Sequence, residues 1–222
     1  MDKMDKQILA VPSSRVEKIT KAALANDGLF LFTNDSEYKD VLKHAVMKRR
    51  GDLENDTNYK QIIPYLVLKN GNTIFYYIRS NTGSESRLLD KLSIGIGGHI
   101  EVEDIEKAEE AIDVALQREI QEEIGGTVQI KNIHPLGFIF TEKTEVDTVH
   151  IGVLFTGEFT NANVIASEEE IGQTGFASAE EFQAIFDNPD HSVESWTQIA
   201  WNKAREKLLP KNDYARVNAK LD

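Results

Sequence analysis

The chain has 222 residues, 41% hydrophobic and 28% charged, a composition typical of a globular protein with a substantial core. Its formal net charge is −12, so we expect no long nucleic acid as a partner. This charge still permits a small phosphorylated ligand if a cation bridges the negative groups of ligand and protein. The absence of cysteine excludes a disulfide scaffold, a thiolate zinc site and a cysteine nucleophile. Because we find no run long and apolar enough for a membrane span and no signal-peptide pattern, we expect a cytoplasmic protein with no membrane partner.

Residues 1–60 are predicted to be mixed and mostly helical. Ser13 or Ser14 is expected to cap one helix, which contains Val16 and Ile19 and extends to residue 24. A second helix, capped by Asp35 or Ser36, is expected to extend through Val46. The basic residues 48–50 and Gly51 are expected to end it, because positive side chains suit the negative helix terminus. Residues 51–60 read as a loop. Sixty residues make a marginal core alone, so we expect this segment to pack on the rest of the chain as an N-terminal helical extension.

The pattern of strands and helices becomes clearer after residue 61. Two β-rich runs, Ile63–Leu68 and Thr73–Ile78, flank Asn70-Gly71, and such a dipeptide is the strongest short-range signal for a β-hairpin. The later predictions, in chain order, are a strand at 92–96, a long helix ending before 125, strands at 128–140 and 149–159, a short apolar run near 176, helices at 179–186 and 192–209, and a polar tail at 211–222. Strands divided by a long helix and followed by others indicate an α/β or α+β fold.

The segment with the clearest chemistry lies between Gly97 and Gly125. If it is helical, Glu119, Glu122 and Glu123 fall within about a third of the helix circumference, beside an apolar stripe. Three carboxylates at one helix end repel each other and oppose the helix dipole, so they lower stability unless something positive binds there. Carboxylate oxygens on a rigid helix are typical ligands of Mg²⁺ or Mn²⁺. An ordinary solvated helix face is an equal alternative for the helix alone, and the glycine pair before it favours the metal site.

This segment resembles the signature of the Nudix hydrolases, which is Gly, five residues, Glu, seven residues, then Arg-Glu-aliphatic-x-Glu-Glu-x-Gly-aliphatic. Arg118–Gly125 matches the second part of the signature, and the required seven residues separate Glu110 from Arg118. The chain departs from the signature in two places: eleven residues separate Gly98 from Glu110 where the signature has five, and Gly126 replaces the closing aliphatic residue. The six extra residues either extend the helix or form a loop, which leaves the role of Glu110 open.

The resemblance implies a Nudix-type α/β/α sandwich with a mixed β-sheet over residues 61–210. It also implies hydrolysis of a nucleoside diphosphate linked to another moiety, in which a water molecule attacks phosphorus with the help of Mg²⁺ or Mn²⁺. Carried over by position, Glu119 and Glu123 are the first metal ligands, followed by Glu122 and the main-chain carbonyl of Gly97. One of these acids, or a later one, is the general base. Arg118 is expected to orient a carboxylate of the loop or helix.

The family often supplies one more acid from a loop before a late strand. We choose Glu170, by its spacing to the aromatic Phe176, as a further metal ligand and catalytic residue. An ordinary exposed acidic loop is at least an equal alternative for this position. Glu142 and Glu145, in the loop after the preceding strand, are weaker candidates.

Four further residues are candidates for substrate binding. Arg79, at the end of a predicted strand, and Arg87, in the loop before the glycine pair, could contact substrate phosphates, although exposed arginines more often serve only solubility. His99 and Glu101 follow the glycine pair and could also contact substrate. His99 has no second suitably spaced histidine, so a zinc site is not expected.

Three other functions were weighed against metal-dependent hydrolysis. Isopentenyl-diphosphate isomerase shares the fold but relies on a cysteine, which this chain lacks. RNA decapping would need a larger basic tract than residues 48–50. A non-catalytic nucleotide sensor stays open, because residues 1–60 could form a partner surface or a homodimer surface.

Overall fold

The computed structural model describes residues 2–79, 91–105, 111–124, 129–159 and 171–209. Its helices are α1 (Ser13–Ala25), α2 (Glu37–Leu42), α3 (Arg50–Leu53), α4 (Ala111–Ile124), α5 (Glu145–Thr148), α6 (Ala179–Phe186) and α7 (Ser195–Leu208). Its strands are β1 (Gln7–Pro12), β2 (Leu29–Leu31), β3 (Val46–Arg49), β4 (Tyr59–Asn70), β5 (Thr73–Arg79), β6 (Lys91–Ser93), β7 (Gly95–Ile96), β8 (Ile130–Ile139), β9 (His150–Phe159), β10 (Ile171–Ser178) and β11 (Ser192–Val193). Short 3₁₀ turns cover Lys3–Asp5 and Val102–Asp104.

The sheet is organised around β4, which is 12 residues long and almost entirely buried. It pairs in parallel with β9, and antiparallel with β1 near its start, β7 in its second half and β5 at its end. β8 adds to the far side of β9, and β2 adds to β8, both antiparallel. Parallel and antiparallel pairs therefore combine in one mixed sheet, as predicted. A strand buried on both faces is expected to read as a nearly continuous apolar run, which is the sequence pattern of β4.

The hairpin predicted at Asn70-Gly71 is confirmed between β4 and β5. Asn70 pairs with Thr73, which leaves Gly71 and Asn72 as the two turn residues. Gly71 has a φ of 57°, a left-handed conformation that glycine adopts without steric cost. The turn thereby sets the register in which Lys69 faces Ile74.

Successive residues of β4 point to opposite faces of the sheet, and each face packs against a helix. The α4 side of the core includes Ile62, Leu66, Phe155, Ile112, Leu116 and Ile120. The α7 side includes Ile63, Tyr65, Leu154, Trp196 and Trp201. This arrangement is the predicted α/β/α sandwich. Among the described residues, no helix is both long enough and apolar enough to cross a membrane.

Residues 1–60 contain the predicted helices but also three strands that the sequence analysis did not predict. The first predicted helix is confirmed as α1, but its predicted serine cap was wrong: α1 begins at Ser13, and its N-cap residue is Pro12, which makes no side-chain cap hydrogen bond. The second predicted helix was wrong in its end: α2 stops at Leu42, and Val46–Arg49 forms β3 instead. β3 pairs antiparallel with β1, which satisfies backbone hydrogen bonds that β1 would otherwise expose. The loop predicted over residues 51–60 was wrong at both ends, because α3 extends to Leu53 and β4 begins at Tyr59, and only residues 54–58 lie outside both elements.

The two helices predicted near the end of the described chain are confirmed as α6 and α7. Ser178 caps α6 by accepting a hydrogen bond from the backbone N–H of Glu181, and the Glu181 side chain accepts one from the backbone N–H of Ser178. α7 begins at Ser195 and not at Ser192, because Ser192 and Val193 pair in parallel with β6.

Candidate functional site

The candidate site is built on the last turns of α4. The apolar stripe of this helix, which includes Ile112 and Ile120, is buried against the sheet. The acids next to the stripe differ in exposure: the side chain of Glu119 is 12% exposed, that of Glu122 is 51% exposed, and Glu123 is 8% exposed. Two of the three predicted carboxylates are therefore largely removed from water. Within the described ranges, no three acidic or histidine side chains already converge as a metal-binding group.

The glycine pair lies directly against β4 and α4. A Cβ atom on Gly97 would lie 1.8 Å from the Pro64 carbonyl oxygen, so this position cannot carry a side chain without moving the backbone. A Cβ atom on Gly98 would lie 2.3 Å from Oε1 of Glu119. Because neither glycine has a side chain, the main chain at Gly97 can pack against β4, and the Glu119 carboxylate can pack against Gly98.

Arg118 donates five hydrogen bonds, three to the loop that follows the glycine pair and two to carboxylates of its own helix, α4. It donates to both carboxylate oxygens of Asp104 at 3.0 Å, and to the His99 carbonyl oxygen at 2.8 Å. It also donates to Glu119 at 2.7 Å and to Glu122 at 3.2 Å. Burial alone would lower the pKa of the guanidinium, but its bonds with Asp104 and Glu119 outweigh burial and raise that pKa. Arg118 is therefore a permanently charged link between three carboxylates and a main-chain carbonyl.

Asp104 is a site residue that the sequence analysis missed. It is 2% exposed, and besides its two bonds from Arg118 it accepts a hydrogen bond from the backbone N–H of Glu101 at 2.8 Å. A signal for it was present, because Asp104 follows Gly98 after five residues, the spacing at which the signature has its first acid. The sequence analysis gave that position to Glu110, which lies outside the described residues.

Replacing Asp104 by asparagine is expected to lower the free energy of unfolding by about 3 kcal/mol, because Arg118 would lose its most buried charge partner. Urea denaturation measures this loss. The matched control is Asp52→Asn, which breaks an arginine–aspartate pair of 3.1 Å whose side chains are 44% and 61% exposed. Such an exposed pair contributes only about 0–1 kcal/mol. Equal stability of the two variants would contradict a structural role of Asp104.

The electrostatic environment of Glu119 suits a cation. Burial raises the pKa of this carboxyl, and the negative charges of Glu122 and Glu101 raise it further, while Arg118 lowers it. The net result is a raised pKa, which means that the folded protein disfavours the ionised carboxylate. A positive charge bound beside Glu119 would stabilise that ionised form. Carboxylate oxygens with a neighbouring main-chain carbonyl are also the donor types that Mg²⁺ and Mn²⁺ prefer. The residues present therefore fit a divalent cation.

The side chain of His99 contacts β4. Its Nε2 atom lies 2.7 Å from Oε1 of Gln61, which is fully buried, and its ring lies 5.5 Å from that of His150. Burial lowers the pKa of His99 well below the usual histidine value, and the charges of Arg50, His150 and Arg118 lower it further. His99 is therefore neutral at pH 7, and its Nε2–H donates to the Gln61 oxygen. The sequence analysis did not find the contact with Gln61, because it spans 38 positions along the chain.

The remaining candidates are placed as follows. Glu101 binds Lys6 through both carboxylate oxygens, at 2.6 and 2.8 Å. Arg79 ends β5, and its side chain lies outside what the structure describes. Arg87 and Glu170 also lie outside the described residues. The weaker candidates Glu142 and Glu145 are exposed.

Known proteins resemble this chain both in sequence and in fold. The NUDIX domain profile matches residues 67–197. Protein YmaB of Bacillus subtilis (strain 168) is 33% identical over 206 residues, which cover 90% of this chain and 97% of that protein. The crystal structure of Tm1382, provisionally described as a Nudix hydrolase, superposes with a TM-score of 0.70 and 25% identity, and covers 89% of this chain and 97% of that one.

A more distant solved structure shares the fold alone. The NUDIX domain of Shewanella oneidensis NrtR, crystallised with ADP ribose, has a TM-score of 0.50 and 14% identity, and covers 67% of this chain and 88% of that one. The matched domain profile, the long alignment with YmaB and the carboxylate-bearing α4 behind a glycine pair agree. The chain belongs to the Nudix family.

Proposed function

We propose that this protein is a pyrophosphohydrolase that cleaves a nucleoside diphosphate linked to another moiety, with Mg²⁺ or Mn²⁺ as its cofactor. The observation that carries the proposal is the arrangement of Glu119, Glu122 and Glu123 on the end of α4, with the Glu119 carboxylate against Gly98. Two of these acids are largely buried, which is costly for a helix face that serves only solubility. The burial therefore favours a site over the alternative of a solvated face.

The proposed cation ligands are Glu119, Glu122, Glu123 and the main-chain carbonyl of Gly97, with Glu170 as a further acid. A divalent cation held by these groups would neutralise the diphosphate and increase the acidity of the attacking water. Arg118 holds the helix carboxylates and the His99 carbonyl in fixed relative positions. It thereby orients the ligands instead of reacting.

The chemical step in this proposal is the addition of water to phosphorus. A carboxylate oxygen of one helix acid, Glu119, Glu122 or Glu123, accepts a proton from the water while the new phosphorus–oxygen bond forms. The bridging phosphorus–oxygen bond breaks, and its electron pair leaves with the bridging oxygen. The products are a nucleoside monophosphate and the phosphorylated second moiety.

The candidates for substrate binding that the sequence suggested are Arg79, Arg87, His99 and Glu101. His99 already contacts Gln61, and Glu101 already binds Lys6, which favours a supporting role for these two residues.

The substrate is tested with a panel of nucleoside diphosphate derivatives in Mg²⁺ and in Mn²⁺, assayed for released nucleoside monophosphate. The panel includes nucleotide sugars, dinucleoside polyphosphates, NAD and ADP-ribose, the last because it is the compound crystallised with the NrtR domain. We expect turnover of at least one compound, and its loss on removal of the metal with EDTA. No turnover of any compound, combined with tight binding of one, would support the second candidate, a nucleotide sensor.

We also propose the limits of the functional unit. Residues 61–210 form the hydrolase domain, residues 1–60 pack on it, and residues 211–222 form a polar tail. The pairing of β1 with β4 supports the first two assignments. A cytoplasmic location and a homodimer stay predictions from the sequence.

A further inference from the structure

Beside the candidate site, the structure brings the N-terminal segment into contact with the loop that carries Gly97 and Gly98. Glycine has the largest conformational freedom of any residue, so two adjacent glycines do not hold a loop in one shape by themselves. A main-chain carbonyl that serves as a metal ligand must nevertheless be held in place. The loop therefore needs anchors outside the glycine pair.

On one side, the anchor is α4. Arg118 binds the His99 carbonyl and the Asp104 carboxylate, so the loop is fixed to α4 at two points. Asp104 in turn accepts the backbone N–H of Glu101, which closes a turn within the loop.

On the other side, the anchor is the start of the chain. The backbone N–H of Leu9 in β1 donates to the Ile100 carbonyl at 2.8 Å, and Ile8 forms a single β-bridge with Glu101. Lys6, just before β1, binds both carboxylate oxygens of Glu101. The Lys6 and Glu101 side chains are 38% and 16% exposed, so this ion pair is better shielded from water than the Lys21–Glu17 and Lys43–Asp40 pairs.

Glu101 is linked to the proposed metal ligands through hydrogen bonds. Its backbone N–H donates to Asp104, and Arg118 donates both to Asp104 and to the carboxylate of Glu119. With Lys6 in place, Glu101 is directed toward the N-terminal segment.

We propose that Lys6 and Glu101 are positioning residues, which hold the Gly97-Gly98 loop against α4 and make the N-terminal segment part of the proposed hydrolase site. The inference rests on the proposed function only where its test measures kcat and KM. It reassigns Glu101 from direct substrate binding to the support of the loop. It also gives the first sixty residues a role beyond that of a partner surface.

The test compares Lys6→Met, Lys6→Arg and Glu101→Gln with the wild-type full-length chain. We expect Lys6→Met to lower kcat and to weaken Mn²⁺ binding, measured by titration, by about tenfold, the lower end for residues that support metal ligands. KM should change little, because no substrate contact is removed. Lys6→Arg keeps the charge and should restore most of both values. In the Glu101→Gln background, Lys6→Met should have little additional effect, because Lys6 acts through Glu101.

The matched control is Lys21→Met, which breaks the Lys21–Glu17 pair on α1, whose side chains are 73% and 61% exposed. This variant should resemble the wild type in kcat, KM and Mn²⁺ affinity. Equal behaviour of Lys6→Met and Lys21→Met would overturn the inference. So would a Lys6→Arg variant as impaired as Lys6→Met, or fully additive effects of Lys6→Met and Glu101→Gln.

Hydrogen exchange separates the failure of this inference from the failure of the proposed function. Amide exchange over residues 97–104 should be faster in Lys6→Met than in the wild type and unchanged in Lys21→Met, whether or not any substrate is turned over. A wild type without turnover of any compound, together with faster exchange in Lys6→Met, would refute the hydrolase and support the loop anchor. Unchanged exchange in Lys6→Met would overturn the anchor even if the hydrolase is confirmed.

Discussion

Replacing Glu123 by glutamine is expected to lower kcat by at least about 100-fold while the protein folds as before. Glutamine has nearly the same volume, so it fits a position that is 8% exposed, but it removes the charge that a cation ligand or a general base needs. The rate is measured on a panel compound that the wild type hydrolyses, and folding is measured by circular dichroism and thermal unfolding. Full activity in Glu123→Gln would contradict the assignment of the site.

Glu119→Gln should show the same loss of kcat, also without a loss of stability. The raised pKa of Glu119, caused first by burial, means that the folded state favours the neutral carboxyl. Its ionised form therefore lowers stability once the pH rises above the normal glutamate pKa, and a neutral glutamine should not lower the free energy of unfolding of the metal-free protein at pH 7.

Glu206→Gln is the matched control for both acids. It makes the same chemical change at an exposed position of α7. We expect wild-type kcat and wild-type Mn²⁺ affinity in this variant. If Glu206→Gln lowered kcat and Mn²⁺ affinity as much as Glu123→Gln, the loss would have to be assigned to the reduced negative charge of the whole chain and not to the α4 acids.

Alanine substitutions of the two adjacent glycines are expected to lower stability by different amounts, because the new Cβ atoms would meet different groups. In Gly97→Ala the new Cβ atom would lie 1.8 Å from the Pro64 carbonyl oxygen, and its next contacts are also backbone atoms of β4. Because the central strand of the sheet cannot move away, we expect a loss of about 3 kcal/mol in the free energy of unfolding, measured with urea.

In Gly98→Ala the new Cβ atom would instead meet the end of the Glu119 side chain, at 2.3 Å. A side-chain carboxylate can move, so the expected loss of stability is only about 1 kcal/mol. The displaced Glu119 should nevertheless weaken Mn²⁺ binding and lower kcat by about tenfold or more. A Gly98→Ala variant with wild-type kcat would show that Glu119 is not needed where the structure places it.

Local sequence patterns predicted the elements whose formation depends on near neighbours. The Asn70-Gly71 dipeptide predicted the hairpin, and the apolar repeat through Ile112 and Ile120 predicted which face of α4 is buried. The signature from Arg118 to Gly125 placed three acids at one end of that helix. Each of these patterns lies within one or two turns or strands, so its physical cause is visible in the sequence.

The predictions failed where a distant segment changed the outcome. The residues of β3 have enough helical periodicity to extend α2, but β1 offers them a set of backbone hydrogen bonds that the helix would not use. Glu110 has the right spacing to Arg118, yet Arg118 binds Asp104, which is 14 positions away. The periodic spacing of residues along the sequence contains no information about contacts between distant segments.

The sequence by itself determined the family signature, the acidic helix end, the glycine pair and the lack of a thiol. The tertiary structure decided that Arg118 binds Asp104, that His99 contacts Gln61, and that Lys6 binds Glu101 across 95 positions. The difference has a physical reason. The sequence patterns report the energies of residues that are neighbours along one helix or strand, whereas these three contacts exist only once β1, β4 and α4 have packed around the same loop.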